Sequence, residues 1–239
     1  MESSLYVSLS GQLALERRLE TVARNVANMD TAGYRADAVK FSTEVNRAGL
    51  DPVSFASEGQ TYINRQAGPI KQTGNPLDVA IAGQGWLGIE TGNGVAYTRD
   101  GRMQISVDGL LRTVEGNPIL DAGGGPIALD PAGGTPNILR DGSVFQNDQR
   151  VAVIGLYEIP EGAKLSRMGN SAVVPDQDAQ PIFEFTENGL EQGYVEGSNV
   201  NAIMEISRMI EITRAFESTN NAMQTAESAR QNAIRQLGG

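Results

Sequence analysis

Cysteine and histidine are both missing from this 239-residue chain. The absence of thiols excludes disulfides and thiolate chemistry, and the absence of imidazoles excludes zinc sites of the usual type and histidine acid–base catalysis. Aromatic residues make up only 5% of the chain, against 28 glycines, so the core per residue is thin and turns are many. Lysine is scarce as well. Lys40, Lys71 and Lys164 are the three lysines among 19 bases, and the rest are arginines, which suit fixed multidentate contacts. No run approaches the roughly 18 apolar residues that a membrane-spanning helix needs, so no membrane insertion is expected. No basic segment followed by an apolar one opens the chain, so no cleavable secretory signal is expected. Positive charge is in deficit. A net charge of -10 and a pI near 4.6 leave no basic stripe to meet nucleic acid.

The two ends are written in helix language. Leu15, Leu19, Val22, Val26 and Met29 recur at steps of four and three, the seam spacing of a helix that lies along another. Phe216, Asn220, Met223, Glu227, Arg230, Ile234 and Leu237 keep the same steps, with Ile206, Met209 and Ile210 ahead of them. The spacing predicts one helix from about Ser3 to Asn28, with Ser3 or Ser4 as its cap. It predicts another from Ser198 to Leu237, with Ser198, Asn199 or Asn201 as candidate caps and Gly238-Gly239 as its end. Charge follows the same division. Residues 1–30 hold four acids and three bases, residues 199–239 hold four of each, and the middle therefore carries -9. Neutral ends can crowd together, while an acidic middle stays soluble.

The middle reads as short strands punctuated by turns. Leu77–Ala82, Trp86–Glu90, Ala96–Arg99, Arg102–Val107, Leu110–Val114, Pro118–Leu120, Ile127–Leu129, Asn137–Arg140 and Ser143–Gln146 alternate with Gly-rich or Asp-Gly junctions. Such junctions accept the positive φ angles of tight hairpins, so an antiparallel meander is expected. Val151–Ile159 reads as an unbroken strand, and Phe183–Thr186 and Leu190–Val195 read as a hairpin across Glu187-Asn188-Gly189. Between Tyr34 and Asn75 the pattern is weak: a short helix over Asp37–Asn46, then an extended connector with strand character at Gln60–Gln66. The fold class is thus α+β, with terminal helices pairing into a coiled-coil-like domain around a central, mostly antiparallel β domain. The segments run 1–33 (first helix), 34–75 (connector), 76–197 (β-rich domain) and 198–239 (second helix).

Signs of catalysis are weak. Gly83-Gln84-Gly85-Trp86-Leu87-Gly88 matches the dinucleotide fingerprint, but that motif must open a helix, and Ile89-Glu90-Thr91 instead runs into Gly92-Asn93-Gly94. Asp100, Asp108 and Asp141 each precede a glycine and are accounted for by turn geometry. No calcium-loop spacing and no Ser-x-x-Lys arrangement is present. No catalytic, cofactor or metal residue is assigned, and no small-molecule substrate is expected. The helix stripes admit a self-contained reading, in which the two ends pair within one molecule. They also admit an assembling one, which the sparse apolar content and the polar seam positions Asn220, Glu227 and Arg230 favour.

The run Leu19 to Arg35 resembles the signature of the axial flagellar rod and hook proteins: Asn25, Ala27, Asn28, Thr31, Gly33 and Tyr34 match, and Ala32 stands where proline is common. Two further blocks are similar to that family. One is Gly74-Asn75-Pro76-Leu77-Asp78-Val79-Ala80-Ile81 through Tyr97-Thr98-Arg99-Asp100-Gly101. The other is Gly193-Tyr194-Val195-Glu196-Gly197-Ser198-Asn199-Val200-Asn201, followed by Arg214-Ala215-Phe216-Glu217. Gly85-Trp86-Leu87, the short length and the lack of a long hook-type insertion resemble a proximal-rod member rather than a distal-rod or hook one. The resemblance implies a structural, self-assembling subunit of the basal-body rod. Such a subunit is exported without a cleavable signal by the flagellar type III apparatus, partners copies of itself and other rod subunits, and transmits torque through the periplasm. Leu15, Leu19, Val22, Val26, Met29, Ile206, Met209, Ile210, Phe216, Met223, Ile234 and Leu237 would then be subunit-interface residues, folding as they assemble. A wall-cleaving enzyme or a monomeric secreted adhesin or effector are the rivals from other classes.

Overall fold

The structure, a computed structural model, describes residues 2–40, 43–46, 53–56 and 60–237, apart from the side chains of 2–8, 43–46, 53–56, 226, 230, 234 and 237. The chain is α+β and divides into two compact units. One gathers residues 1–27, 37–62 and 201–239, and the other gathers residues 28–36 and 63–200.

The first unit holds both helices. Helix α1 spans Glu2–Ala27 and helix α2 spans Ala202–Leu237. At 36 residues α2 is about 54 Å long. Asn201 caps it: its Oδ1 accepts the Met204 N–H at 3.1 Å, so the helix starts four residues later than Ser198. On α2, Arg208 meets Glu205 at 2.5 Å. The helices pack against one another within the single chain. Ala14, Thr21, Val22 and Asn25 are buried on α1, and Glu205 and Ile212 on α2. The caps expected at Ser3 or Ser4, and the helix end at Gly238-Gly239, lie outside the described residues and side chains.

Gly11 sits inside α1 with open space around the position a Cβ would take. Gly11→Ala is therefore expected to stabilise the helix by about 0.5–1 kcal/mol, from reduced backbone entropy in the unfolded chain. A higher midpoint in thermal unfolding followed by helical circular dichroism checks it. A lower midpoint would mean that Gly11 is needed for something besides helix formation.

Within the stretch expected to be helical, Asp37–Lys40 and Thr43–Asn46 are strands. Asp37–Lys40 pairs with Gln60–Ile63, and Thr43–Asn46 pairs antiparallel with Val53–Ala56. The cause at the first strand is Asn25, whose side-chain amide engages both main-chain groups of Asp37 as a neighbouring strand would.

The second unit is built on an antiparallel six-stranded sheet. Its strands lie in the order Leu165–Met168, Ala172–Pro175, Gly94–Thr98, Trp86–Thr91, Leu156–Glu158 and Gln180–Pro181. Val79, Ile81, Leu87, Ile89, Leu111, Ile119, Ile154 and Leu156 centre one core, and Trp86 heads a smaller one with Ile63, Ile159, Ala163 and Val173. Local hairpins follow the sequence turns. Thr91 pairs Gly94, Met103–Ile105 pairs Leu111–Thr113 across Asp108-Gly109, and Asn137–Ile138 pairs Ser143–Gln146 across Asp141-Gly142. Asn147 and Asp148 both take positive φ between Gln146 and Gln149, as a two-residue hairpin loop demands.

Other strand expectations differ as well: Pro118–Leu120 and Ile127–Leu129 make only isolated bridges. Val151–Ile159 breaks after Val153: Ile154 bridges Asp121, and the Gly155 N–H donates to the Leu120 carbonyl, so the chain exchanges one sheet for another. Phe183–Thr186 is not a strand, and Phe183 is 73% exposed. The strand Gly189–Gln192 instead pairs Val79–Ala82, and Tyr194–Glu196 pairs Ile70–Gln72. The hairpin of Leu165–Met168 with Ala172–Pro175 was not expected at all.

Candidate functional site

Two polar clusters stand out, one in each unit. In the helical unit the Asn25 amide donates to the Asp37 carbonyl at 2.9 Å and to the Glu205 carboxylate at 3.3 Å, and its oxygen accepts the Asp37 N–H at 2.9 Å. One buried side chain thus fastens α1, the strand after it and α2. Arg24 adds an ion pair to Asp37 at 3.2 Å.

In the β unit the segment after α1 folds into a tight turn. Thr31 N donates to the Asn28 carbonyl at 3.2 Å, and its hydroxyl bonds the Asn28 side-chain oxygen at 3.1 Å. Gly33 follows at φ +67°, a conformation that L side chains rarely adopt. Its N–H donates to the Glu196 carbonyl at 2.8 Å. Tyr34 is fully buried, with the Arg167 guanidinium 4.3 Å from its ring centroid. Asn199 braces this segment from the C-terminal side. Its Oδ1 accepts the Ala36 N–H at 2.7 Å, and its amide donates to the carbonyls of Asn64 and Gln66.

These contacts surround a buried triad. Glu196, 1% exposed, lies between Arg35 at 2.5 Å and Arg99 at 2.7 Å, each arginine 2% exposed. The Gly68 N–H donates to the same carboxylate at 2.8 Å. Arg99 also donates to the carbonyls of Ile81, Gly83 and Gly85, and Arg35 donates to that of Gln66. Trp86 lies within reach of both cations, 5.8 Å from Arg35 and 5.9 Å from Arg99 by ring centroid. Burial pushes the Arg35 guanidinium down to about 10. Glu196 opposes that shift and the Arg99 charge adds to it. Burial lowers Arg99 also, again against the pull of Glu196. Both stay cationic at neutral pH, so the triad carries one net positive charge, spread over carbonyl oxygens. Removing one partner of such a group strands the others, at a cost of several kcal/mol.

The residues of the dinucleotide-like turn and the Asp-Gly junctions make structural contacts. The Gly83–Gly88 turn directs carbonyls at a guanidinium, whereas a phosphate cradle needs N–H donors. Asp100 is held by Arg102 at 2.9 and 2.7 Å, and Asp141 accepts from Ser143 at 3.0 Å. Hydrogen bonds from Ser106, then from Arg112, hold the Asp108 carboxyl below its usual range. Among the described residues no cluster of three metal-ligating side chains occurs.

The three sequence blocks converge here. The first supplies Arg35, the second Trp86 and Arg99, and the third Glu196 and Asn199. The family model described as "Flagella basal body rod protein" matches residues 5–35, and that of the "Flagellar hook protein FlgE/F/G D1 domain" matches 80–146. The model of the "Flagellar basal body rod FlgEFG protein C-terminal" matches 191–236. Over the whole chain, the flagellar basal-body rod protein FlgF of Mesorhizobium japonicum is 48% identical, covering 100% of this chain and 99% of its own length. Those of Rhizobium meliloti and Caulobacter vibrioides are 42% and 35% identical at the same coverage. The chain belongs to the flagellar basal-body rod protein family. It is a structural rod protein of the FlgF type and not an enzyme, and its place is the basal body of the flagellum.

The motif residues of this rod protein divide between the clusters. Asn25 serves the first. Asn28, Thr31, Gly33, Tyr34 and Asn199 serve the second, where Ser198 Oγ accepts the Val200 N–H at 3.2 Å. Asn201 caps α2, and Ala27 is exposed. The seam residues are placed unevenly. Val22 is buried; Leu15, Leu19, Val26, Met209 and Met223 are half-buried; Met29, Ile206, Ile210 and Phe216 are exposed. Asn220 and Glu227 are exposed too, while the side chains of Arg230, Ile234 and Leu237 lie outside those described. The pattern of the sequence does not bring Arg35, Trp86, Arg99 and Glu196 together. The available signal was a charge embedded in each otherwise uncharged strand segment, at Arg99 after Ala96-Tyr97-Thr98 and at Glu196 after Gly193-Tyr194-Val195.

Proposed function

We propose that this subunit joins the rod through its two terminal helices, which act with those of neighbouring copies and other rod subunits as the wall of a torque-transmitting shaft. The observation that carries the reading is the apolar surface that the helix pair leaves uncovered. Ile203, Met204, Ile206, Ile210 and Phe216 on α2, with Leu9 and Leu13 on α1, are 37–79% exposed. Covering the part of each such side chain that remains exposed contributes about 1–2 kcal/mol, repeated at every subunit contact. The helices would form a coiled-coil-like array, with Leu15, Leu19, Val22, Val26, Met29, Ile206, Met209, Ile210, Phe216, Met223, Ile234 and Leu237 along its seams. The β-rich part, 76–197, would carry the acidic charge facing solvent. Passage from the cytoplasm to the periplasmic rod would use the flagellar type III export apparatus. The FlgF-type family membership and the Trp86-Leu87 pair support a proximal-rod position over a distal-rod or hook one.

Val22 is a poor test site, because it is buried within its own chain and a charge there would unfold the helix pair first. Ile206→Asp with Ile210→Asp is the better probe, since both side chains face solvent in the single chain. The double variant is expected to fold with an unchanged thermal midpoint and yet leave cells non-motile, with no rod recovered. Full swimming with the double variant would overturn the reading.

A further inference from the structure

The sequence has five junctions in which an aspartate or asparagine precedes glycine: Asn93-Gly94, Asp100-Gly101, Asp108-Gly109, Asp141-Gly142 and Asn188-Gly189. Each is open in principle to attack by the following backbone nitrogen on the side-chain carbonyl carbon. The fold protects four of them. Asp100 is buried and paired with Arg102, Asp108 is bonded to Arg112 at 3.1 Å, and Asp141 accepts from both the N–H and the hydroxyl of Ser143. Ionised carboxylates carry no good leaving group. Asn188 is pinned by the Gln84 N–H at 2.8 Å, and Gly189 after it is buried and paired with Ala82.

Asn93 is different. It is exposed at a hairpin tip, its side-chain amide makes no hydrogen bond among the described residues, and nothing lies within 4 Å of the Cβ positions of Gly92 or Gly94. Gly94 and Gly189 each open a strand and pair across it, with Thr91 and Ala82 respectively, but Gly94 is exposed whereas Gly189 is buried.

We infer that Asn93 is a self-modification site, at which the protein converts to aspartyl and isoaspartyl forms in its folded state. The Gly94 nitrogen loses its proton to solvent base and bonds to Asn93 Cγ. The Cγ–Nδ2 bond breaks, and Nδ2 leaves as ammonia after protonation. The resulting five-membered imide then adds water at either carbonyl, giving aspartate or the β-linked isomer. Either product puts a negative charge at the hairpin tip, and the isomer also lengthens the main chain there.

The test incubates the folded full-length protein in mildly alkaline buffer and follows the Asn93 and Asn188 peptides by mass and by isoaspartyl assay. Asn188 must first release its bond to Gln84 and draw the buried Gly189 into solvent, so Asn93 is expected to convert roughly tenfold faster or more. In denaturant the two should convert at similar rates, and Asn93→Ser should remove nearly all isoaspartate from the folded protein. Equal rates for Asn93 and Asn188 in the folded protein would overturn the inference, as would an unmodified Asn93 peptide.

Discussion

Glu196→Ala is expected to unfold the β unit or bring it to the edge of unfolding. The carboxylate is the counterion of two guanidiniums that are each 2% exposed, so its loss leaves two buried cations facing one another across the vacated space. Removing one partner of a buried ion pair costs about 3–5 kcal/mol, and here one residue serves two pairs. The Gly68 N–H loses its acceptor as well. A domain's whole stability is about 5–15 kcal/mol, so the deficit consumes much or all of it. Trp86, the single tryptophan, lies within 6 Å of both arginines and reports the change directly. Urea unfolding followed by its fluorescence should show a lost or strongly lowered midpoint. A loss below about 1 kcal/mol would place the counterion elsewhere. Replacing all three charges together by Met and Leu should be milder than Glu196→Ala alone, because no orphan charge is left. It should still fall short of the native protein, since the carbonyls of Ile81, Gly83, Gly85 and Gln66 lose their donors.

That triad marks where sequence reasoning reaches its limit. Both helices and most short strands were legible, because periods of 3.6 and 2 and recurrent Asp-Gly turns are local signals. Hairpins such as Gly94–Thr98 on Trp86–Thr91 follow from the turn alone. The pairing of Val79–Ala82 with Gly189–Gln192 joins segments more than a hundred residues apart, and nothing local selects that partner. Asp37–Lys40 reads as helical in sequence, because the side chain that engages its main chain belongs to Asn25, twelve positions upstream. The Arg35–Glu196 pair spans 161 positions, and 18 other bases and 28 other acids were available to either partner. The motif blocks flagged the right segments, but only their convergence in space shows why they matter together.

Gly33→Ala should be about as damaging, for a different reason. At φ +67° an alanine costs about 1–2 kcal/mol in backbone strain alone. The added methyl would also lie 2.2 Å from the Asp100 nitrogen and 2.4 Å from the Arg99 carbonyl carbon, both main-chain atoms that cannot rotate aside. To relieve the overlap the segment must withdraw. It then gives up the Gly33 N–H to Glu196 bond at 2.8 Å and the Asn199 N–H to Tyr34 bond at 3.2 Å, and it pulls Arg35 off the triad. The total should exceed about 4 kcal/mol, the exceptional end for a single substitution. Gly74→Ala is the control. Its φ of +73° is close to that of Gly33, but nothing lies within 4 Å of its Cβ position, so only the strain is felt. Urea midpoints for the two variants separate the causes. Equal losses would mean that the close approach to Asp100 adds nothing, and a much larger loss at Gly33 assigns the difference to the docking of the Tyr34-Arg35 segment. In cells the Gly33 variant should then fail to build a rod even though every exposed helix residue is intact. Assembly would therefore depend on this buried junction as much as on the helix surfaces themselves.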